Sequence, residues 1–167
     1  MTAAEQARVL IAGYSPHEHR PLAGYAGLTG FFLLVTGGSL GAVRVYRGEF
    51  PKRFDPIDIV LLGFATHKIS RVVAKDKVTS FLRAPFTRFQ EDSGQGEVSE
   101  QPRGEGLRLA IGELLVCPYC LAQWVAAGLT IGLVANRRAT RLVASLYTAQ
   151  TLGDFLQLAY LAAEERA

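Results

Sequence analysis

The sequence predicts an all-α integral membrane protein: a bundle of about four transmembrane helices with a basic amphipathic surface segment and a flexible loop. Three observations predict it. No charged residue falls between Pro21 and Val43, none between Leu114 and Asn136, and one, Asp154, between Leu142 and Ala163. A helix of about 20 apolar residues crosses the bilayer core, and each run reaches that length. The charged residues collect between the runs, as in loops lying against lipid headgroups. With 18 Lys and Arg against 15 Asp and Glu, the excess of base is small. It fits an anionic membrane surface, and no soluble module for binding nucleic acid is visible.

Residues 1–20 read as a polar N-terminal arm and residues 21–167 as one membrane domain. The first helix spans about 21–43. It starts too late and runs too long for a cleavable signal, whose apolar core is about 7–15 residues. Gly37 and Gly41, and later Gly128 and Gly132, have the small-xxx-small spacing that lets helix backbones approach in lipid.

The second helix covers about 56–74, with Asp55 as its cap and Pro56 in its first turn. It is the most polar of the four, because Asp58, His67, Lys68 and Arg71 interrupt it. From Val72 to Phe89, Lys75, Lys77, Arg83 and Arg88 alternate with apolar residues. That is the composition of a segment on an anionic surface, with a break at Pro85. Residues 90–106, "QEDSGQGEVSEQPRGEG", offer almost nothing apolar to bury and read as the flexible loop. The third helix covers about 107–135 and the fourth about 142–163, joined through "RRATR". Counting Lys and Arg by side favours a cytoplasmic long basic loop.

Both cysteines lie in "LLVCPYCLAQW". Pro118 suits the first turn of a helix, which puts Cys117 at a helix start, where the dipole lowers a thiol pKa. Cys117 and Cys120 are therefore redox candidates. Against this, Glu113 one turn earlier opposes a thiolate, the βαβ context of soluble CxxC oxidoreductases is missing, and a buried Cys also serves as a small apolar filler. As metal ligands the pair is half a site. It would need His17, His19 or His67, so no metal or cofactor is expected. Facing a reducing compartment, the two would be mostly free thiols.

Asp154 is an ionisable residue inside a span, a functional candidate by default. Tyr147, Gln150, Asp154 and Gln157 share one helical face at i, i+3, i+7 and i+10, with His67 or Arg71 as the partner across the bundle. Such a stripe is a hydrogen-bonded clamp or a permeation path. No phosphate-binding glycine loop and no catalytic triad or carboxylate pair can be picked out.

"LLGFATHKISRVVAKDKVTSFLRAPFTRF", followed after the loop by "GEGLRLAIGELLVCPYCLAQWVA", resembles the bacterial membrane family known as domain of unknown function 1360, which has a sporulation protein among its members. The likeness runs from about Asp58 to the end of the fourth helix, so the first helix is an addition. It centres on Arg71, Asp76, Lys77, Arg83, Pro85, Phe86, Gly112, Glu113, Cys117, Cys120 and Trp124. The resemblance implies a small multi-pass protein of the bacterial cell membrane and brings no activity with it. The leading expectation is a non-enzymatic scaffold or assembly factor that binds protein partners or a second copy. The alternatives are a membrane thiol-disulfide protein using the Cys-Pro-Tyr-Cys pair, and a small-solute or ion carrier using Asp154.

Overall fold

The computed structural model describes residues 2, 13–15 and 20–166. Most of the N-terminal arm, with His17 and His19, lies outside them. Helix α1 spans Leu22–Arg47, about 39 Å at 1.5 Å per residue. It ends at Gly48, whose φ of 78° lets its N–H reach back to the Arg44 carbonyl. Helix α2 spans Pro56–Lys75 and starts as its sequence dictates: Asp55 accepts from the Ile57 N–H at 3.1 Å, and Pro56 occupies the first turn. A 3-10 turn, Lys77–Thr79, and the single turn α3, Ser80–Arg83, follow.

The next segment departs from the expected all-α fold. Strands β1, Thr87–Gly94, and β2, Glu97–Pro102, form an antiparallel hairpin where the flexible loop and part of the surface segment were expected. Gly94, Gln95 and Gly96 all have positive φ, the backbone that tight hairpin turns need. Val98, the single aliphatic side chain of the segment 90–106, is 2% exposed. One buried valine is a weak apolar signal, and charge pairing replaces the missing hydrophobic area.

The expected helix 107–135 is two helices. Helix α4, Gly106–Val116, stops at Cys117, which is extended (φ −105°, ψ 102°), and α5 runs Pro118–Ala135. Proline lacks an N–H and pushes the residue before it out of the helical region. The last helix, α6, spans Arg137–Glu164 and takes in the arginines expected to form the preceding turn. Asn136 alone joins α5 to α6, its side chain capping α6 by accepting from the Ala139 N–H at 3.2 Å.

Helix α2 packs against α5 and α6, and α1 lies along α4 and α5. The buried core is small: Leu62, Ala65, Leu133 and Ala144, flanked by Leu61, Ile69, Leu129 and Tyr147. Hydroxyls reinforce it across helices, since Thr148 donates to the Leu61 carbonyl and Thr151 to that of Phe64, each at 3.1 Å. Gly132 permits a close approach, because a Cβ there would sit 2.9 Å from Thr140 Oγ1, whereas Gly37, Gly41 and Gly128 have no neighbour within 4 Å of that position. Among the described residues, two helices, α1 and α5, are long and apolar enough to cross a membrane. The four expected spans are therefore not all visible in length and composition: α2 and α6 have the length but a more polar sequence.

Candidate functional site

Polar residues gather at three places. The first is the hairpin end. Arg83, expected on the membrane surface, is 0% exposed. Its Nε donates to Glu100 Oε2 at 2.7 Å, Nη1 to the Val73 carbonyl and Thr79 Oγ1, and Nη2 to the Asp76 carbonyl and Ser80 Oγ. Thr87 Oγ1 also donates to Glu100, at 3.2 Å. One guanidinium thus ties the end of α2, the 3-10 turn, α3 and β2 together. A buried arginine is tolerated only when its donors are satisfied in this way. Of the other expected surface bases, Lys77 pairs with Asp92 at 3.1 Å, Lys75 is half-buried in α2, and Arg88 is exposed.

Beside this knot a cavity of about 440 Å³ is lined by His67, Lys68, Arg71, Asp76, Glu97 and Asp154, among others. Arg71 makes a bidentate pair with Glu97, with contacts of 2.7–3.0 Å. The partner of Asp154 is neither Arg71 nor His67 but Lys68, at 2.7 Å. The His67 ring stacks on Phe155 instead, 6.2 Å between centroids. Of the expected stripe, Asp154 and Gln157 line the cavity, while Tyr147 flanks the core and Gln150 is exposed. Burial pushes the Asp76 carboxyl above its ordinary value, and Lys68 opposes this in part.

The second place is the opposite end. Asp58, 2% exposed, is held by Arg141 Nε at 2.6 Å and Arg137 Nε at 2.9 Å, and Arg137 also reaches Asp55 at 3.1 Å. Sequence reasoning missed this cluster. Its signal was there: an acid inside a helix that would otherwise span, and three arginines one turn into another.

The third is the cysteine pair. The sulfurs of Cys117 and Cys120 lie at disulfide distance, with Cα atoms 5.3 Å apart. The expectation of free thiols is therefore not met. The Cys120 N–H donates to Cys117 Sγ at 3.2 Å, so the sulfur caps α5. Cys120 lines a cavity of about 500 Å³ between α1, α4 and α5. Glu113 lines it too, but it is engaged by Tyr25, whose hydroxyl donates to Oε2, and by Arg20 at 3.8 Å. Trp124 packs edge-on to Phe32, with centroids 4.9 Å apart. Among the described residues no group of three or more His, Cys, Asp and Glu could hold a metal ion.

The remaining motif residues fasten the hairpin to α4. The Pro85 carbonyl accepts from Arg108 Nη2 at 2.6 Å and the Phe86 carbonyl from the Arg103 N–H at 2.9 Å. Gly112 leaves room for that carbonyl, since a Cβ there would lie 2.6 Å from it.

These features define a mostly helical protein with two long apolar helices, a small antiparallel hairpin and buried charge pairs at both ends. The chain belongs to the family described as "Protein of unknown function (DUF1360)", whose model matches residues 61–160. Helix α1 lies before the matched segment. The chain is 33% identical over 78 residues to the sporulation protein YjcA of Bacillus subtilis (strain 168). That alignment covers 45% of this chain and 66% of the Bacillus protein, just under two thirds of its length. No solved structure matches.

Proposed function

We propose that the chain is a multi-pass membrane scaffold or assembly factor, with α1, α2, α4–α5 and α6 crossing the bilayer and the hairpin end held at the cytoplasmic face. The observation that carries this reading is the inverted distribution of apolar residues. The core holds a handful of side chains, while Phe31, Leu34, Leu142, Leu146, Phe155 and Leu156 face outward. A soluble monomer rarely leaves so much apolar surface in contiguous patches. The open glycine face of α1 gives a partner helix or a second copy room to approach. At the hairpin end the charges are largely paired within the chain, which favours a rigid docking platform over an active site. The name of the Bacillus relative directs the search for partners to sporulation.

A second reading is thiol-disulfide exchange, favoured by the sulfur pairing of Cys117 and Cys120. The carrier reading through Asp154 loses support, because its contact with Lys68 is the clamp arrangement.

Affinity purification from membranes after mild crosslinking separates the first two. A scaffold retains the same partners in wild type and in the Cys117→Ser/Cys120→Ser pair. Loss of every partner in the double variant sinks the scaffold and promotes exchange. Orientation is read in the cysteine-free background with single cysteines at Ser93 and Lys52. An impermeant reagent applied outside should label Lys52→Cys and spare Ser93→Cys, and the opposite pattern reverses the topology.

A further inference from the structure

We infer that the cavity between α1, α4 and α5 is a docking site for a lipid-soluble quinone that exchanges two electrons with Cys117 and Cys120. The inference deepens the thiol-disulfide reading and rests on it.

Three features point to this class of co-reactant. Depth is the first. The eleven residues of α4, about 16 Å of helix, separate the cysteines from the hairpin, so in the proposed bundle they sit inside the apolar layer, where a lipid-soluble carrier has better access than a hydrophilic thiol. Shape and chemistry are the second. A cavity of about 500 Å³ lies in the range of small-molecule sites. Phe32 and Trp124 form an aromatic wall suited to a flat ring, and the Gln123 amide with the Tyr25–Glu113 pair supplies polar groups for ring oxygens. The third is the asymmetry of the sulfurs. Cys120 faces the cavity, whereas Cys117 sits at the start of α5 and accepts the Cys120 N–H. Cys120 is therefore the sulfur that meets a bound ring, and Cys117 the one that resolves it.

The chemistry balances. From the dithiol, the Cys120 thiolate adds to the quinone ring and an S–C bond forms. The Cys117 thiolate then attacks Cys120 Sγ, the S–S bond forms and the S–C bond breaks. Its electron pair stays with the ring, which takes up two protons and leaves as hydroquinone. Two thiols are oxidised to one disulfide, and one quinone is reduced by two electrons.

The test uses the full-length protein in nanodiscs, reduced with dithiothreitol and freed of it, then mixed with a fully substituted short-chain benzoquinone. Thiols are followed by maleimide mass shift and hydroquinone by absorbance. One quinone should be consumed per dithiol. Leu28→Trp, which fills the cavity, and Trp124→Ala, which removes its wall, should each slow oxidation at least tenfold, with iodoacetamide labelling of the reduced cysteines unchanged. Leu156→Ala on α6 should leave the rate as it is. If both cavity variants oxidise at the wild-type rate, or the bound quinone leaves the thiols reduced, the quinone site is wrong. Exchange with glutathione disulfide but not with the quinone overturns this inference and keeps the thiol-disulfide reading. Exchange with neither overturns both.

Discussion

Two arginine–carboxylate clusters hold opposite ends of the molecule, and they are built in opposite ways. At the hairpin end a single arginine, Arg83, is completely enclosed and donates to five residues, and only the Glu100 carboxylate among the accepting groups carries charge. At the other end the buried partner is the acid, Asp58, and the arginines that hold it, Arg137 and Arg141, remain partly exposed. The first arrangement organises backbone, because two of its acceptors are the carbonyls of Val73 and Asp76, at the end of α2 and in the turn that follows. The second staples two finished helices, α2 and α6. A buried charge thus serves either as a nucleus around which irregular chain is arranged or as a bolt between regular elements. The two roles respond differently to substitution.

The largest effect belongs to Arg83→Met. It leaves Glu100 buried without its charge partner, a loss of about 3–5 kcal/mol, and should abolish hydrogen-exchange protection across Thr87–Pro102 while α5 and α6 stay protected. Arg83→Lys should not restore protection, since an ammonium cannot span the same acceptors. Survival of the hairpin in either variant would end the claim that this arginine organises it.

Asp58→Asn comes next, at about 1–3 kcal/mol, because the released arginines can turn to water. Its thermal midpoint in detergent should fall without loss of hairpin protection. Wild-type stability should also drop modestly in high salt, to which this end contributes because its arginines are open to screening. A fall as large as that of Arg83→Met would erase the distinction between bolt and nucleus.

Asp154→Leu should cost less, about 0–1 kcal/mol, since its side chain is 48% exposed and such pairs with lysine contribute little. It should still exceed Leu156→Ala, which removes an outward-facing residue. Equal tolerance of the two changes, measured as thermal midpoints, would deny the clamp any role.

The smallest effect is a pH slope. Burial raises the folded carboxyl of Asp76 above its ordinary 3.8. The folded state therefore holds this proton more tightly, and its contribution declines as pH rises from 3.8 towards the raised folded value. Asp76→Asn should flatten that part of the stability–pH curve, and an unchanged slope would show that Asp76 does not produce it.

The long elements were legible because length and charge define them. The absence of charge located α1 and α5, and Asp55 with Pro56 fixed the start of α2. The hairpin was hidden because its buried apolar content is one valine, and its register depends on Glu100 meeting an arginine 17 positions earlier. Composition alone placed Arg83 on the surface among other bases, although the resemblance singled it out. Pro118 suggested a helix start, but the whole length of the run argued for continuity, and the chain breaks there. Asp154 was expected to pair with His67 or Arg71 and instead meets Lys68. Helical phase could not decide between His67, Lys68 and Arg71, which crowd one turn of α2.

The Asp58 staple also bears on the order in which the chain is made. Its two arginines lie 79 and 83 residues downstream, so a ribosome finishes α2 long before either exists. In the proposed four-span arrangement, α2 must wait at the interface or enter with an uncompensated carboxylate, which is costly inside lipid. The last helix would then complete the insertion of the second. Chains truncated after Ala135 should leave α2 open to an impermeant label at an engineered Leu62→Cys, whereas chains ending at Glu164 should protect it. Labelling that is the same at both lengths would mean that α2 enters without help from α6.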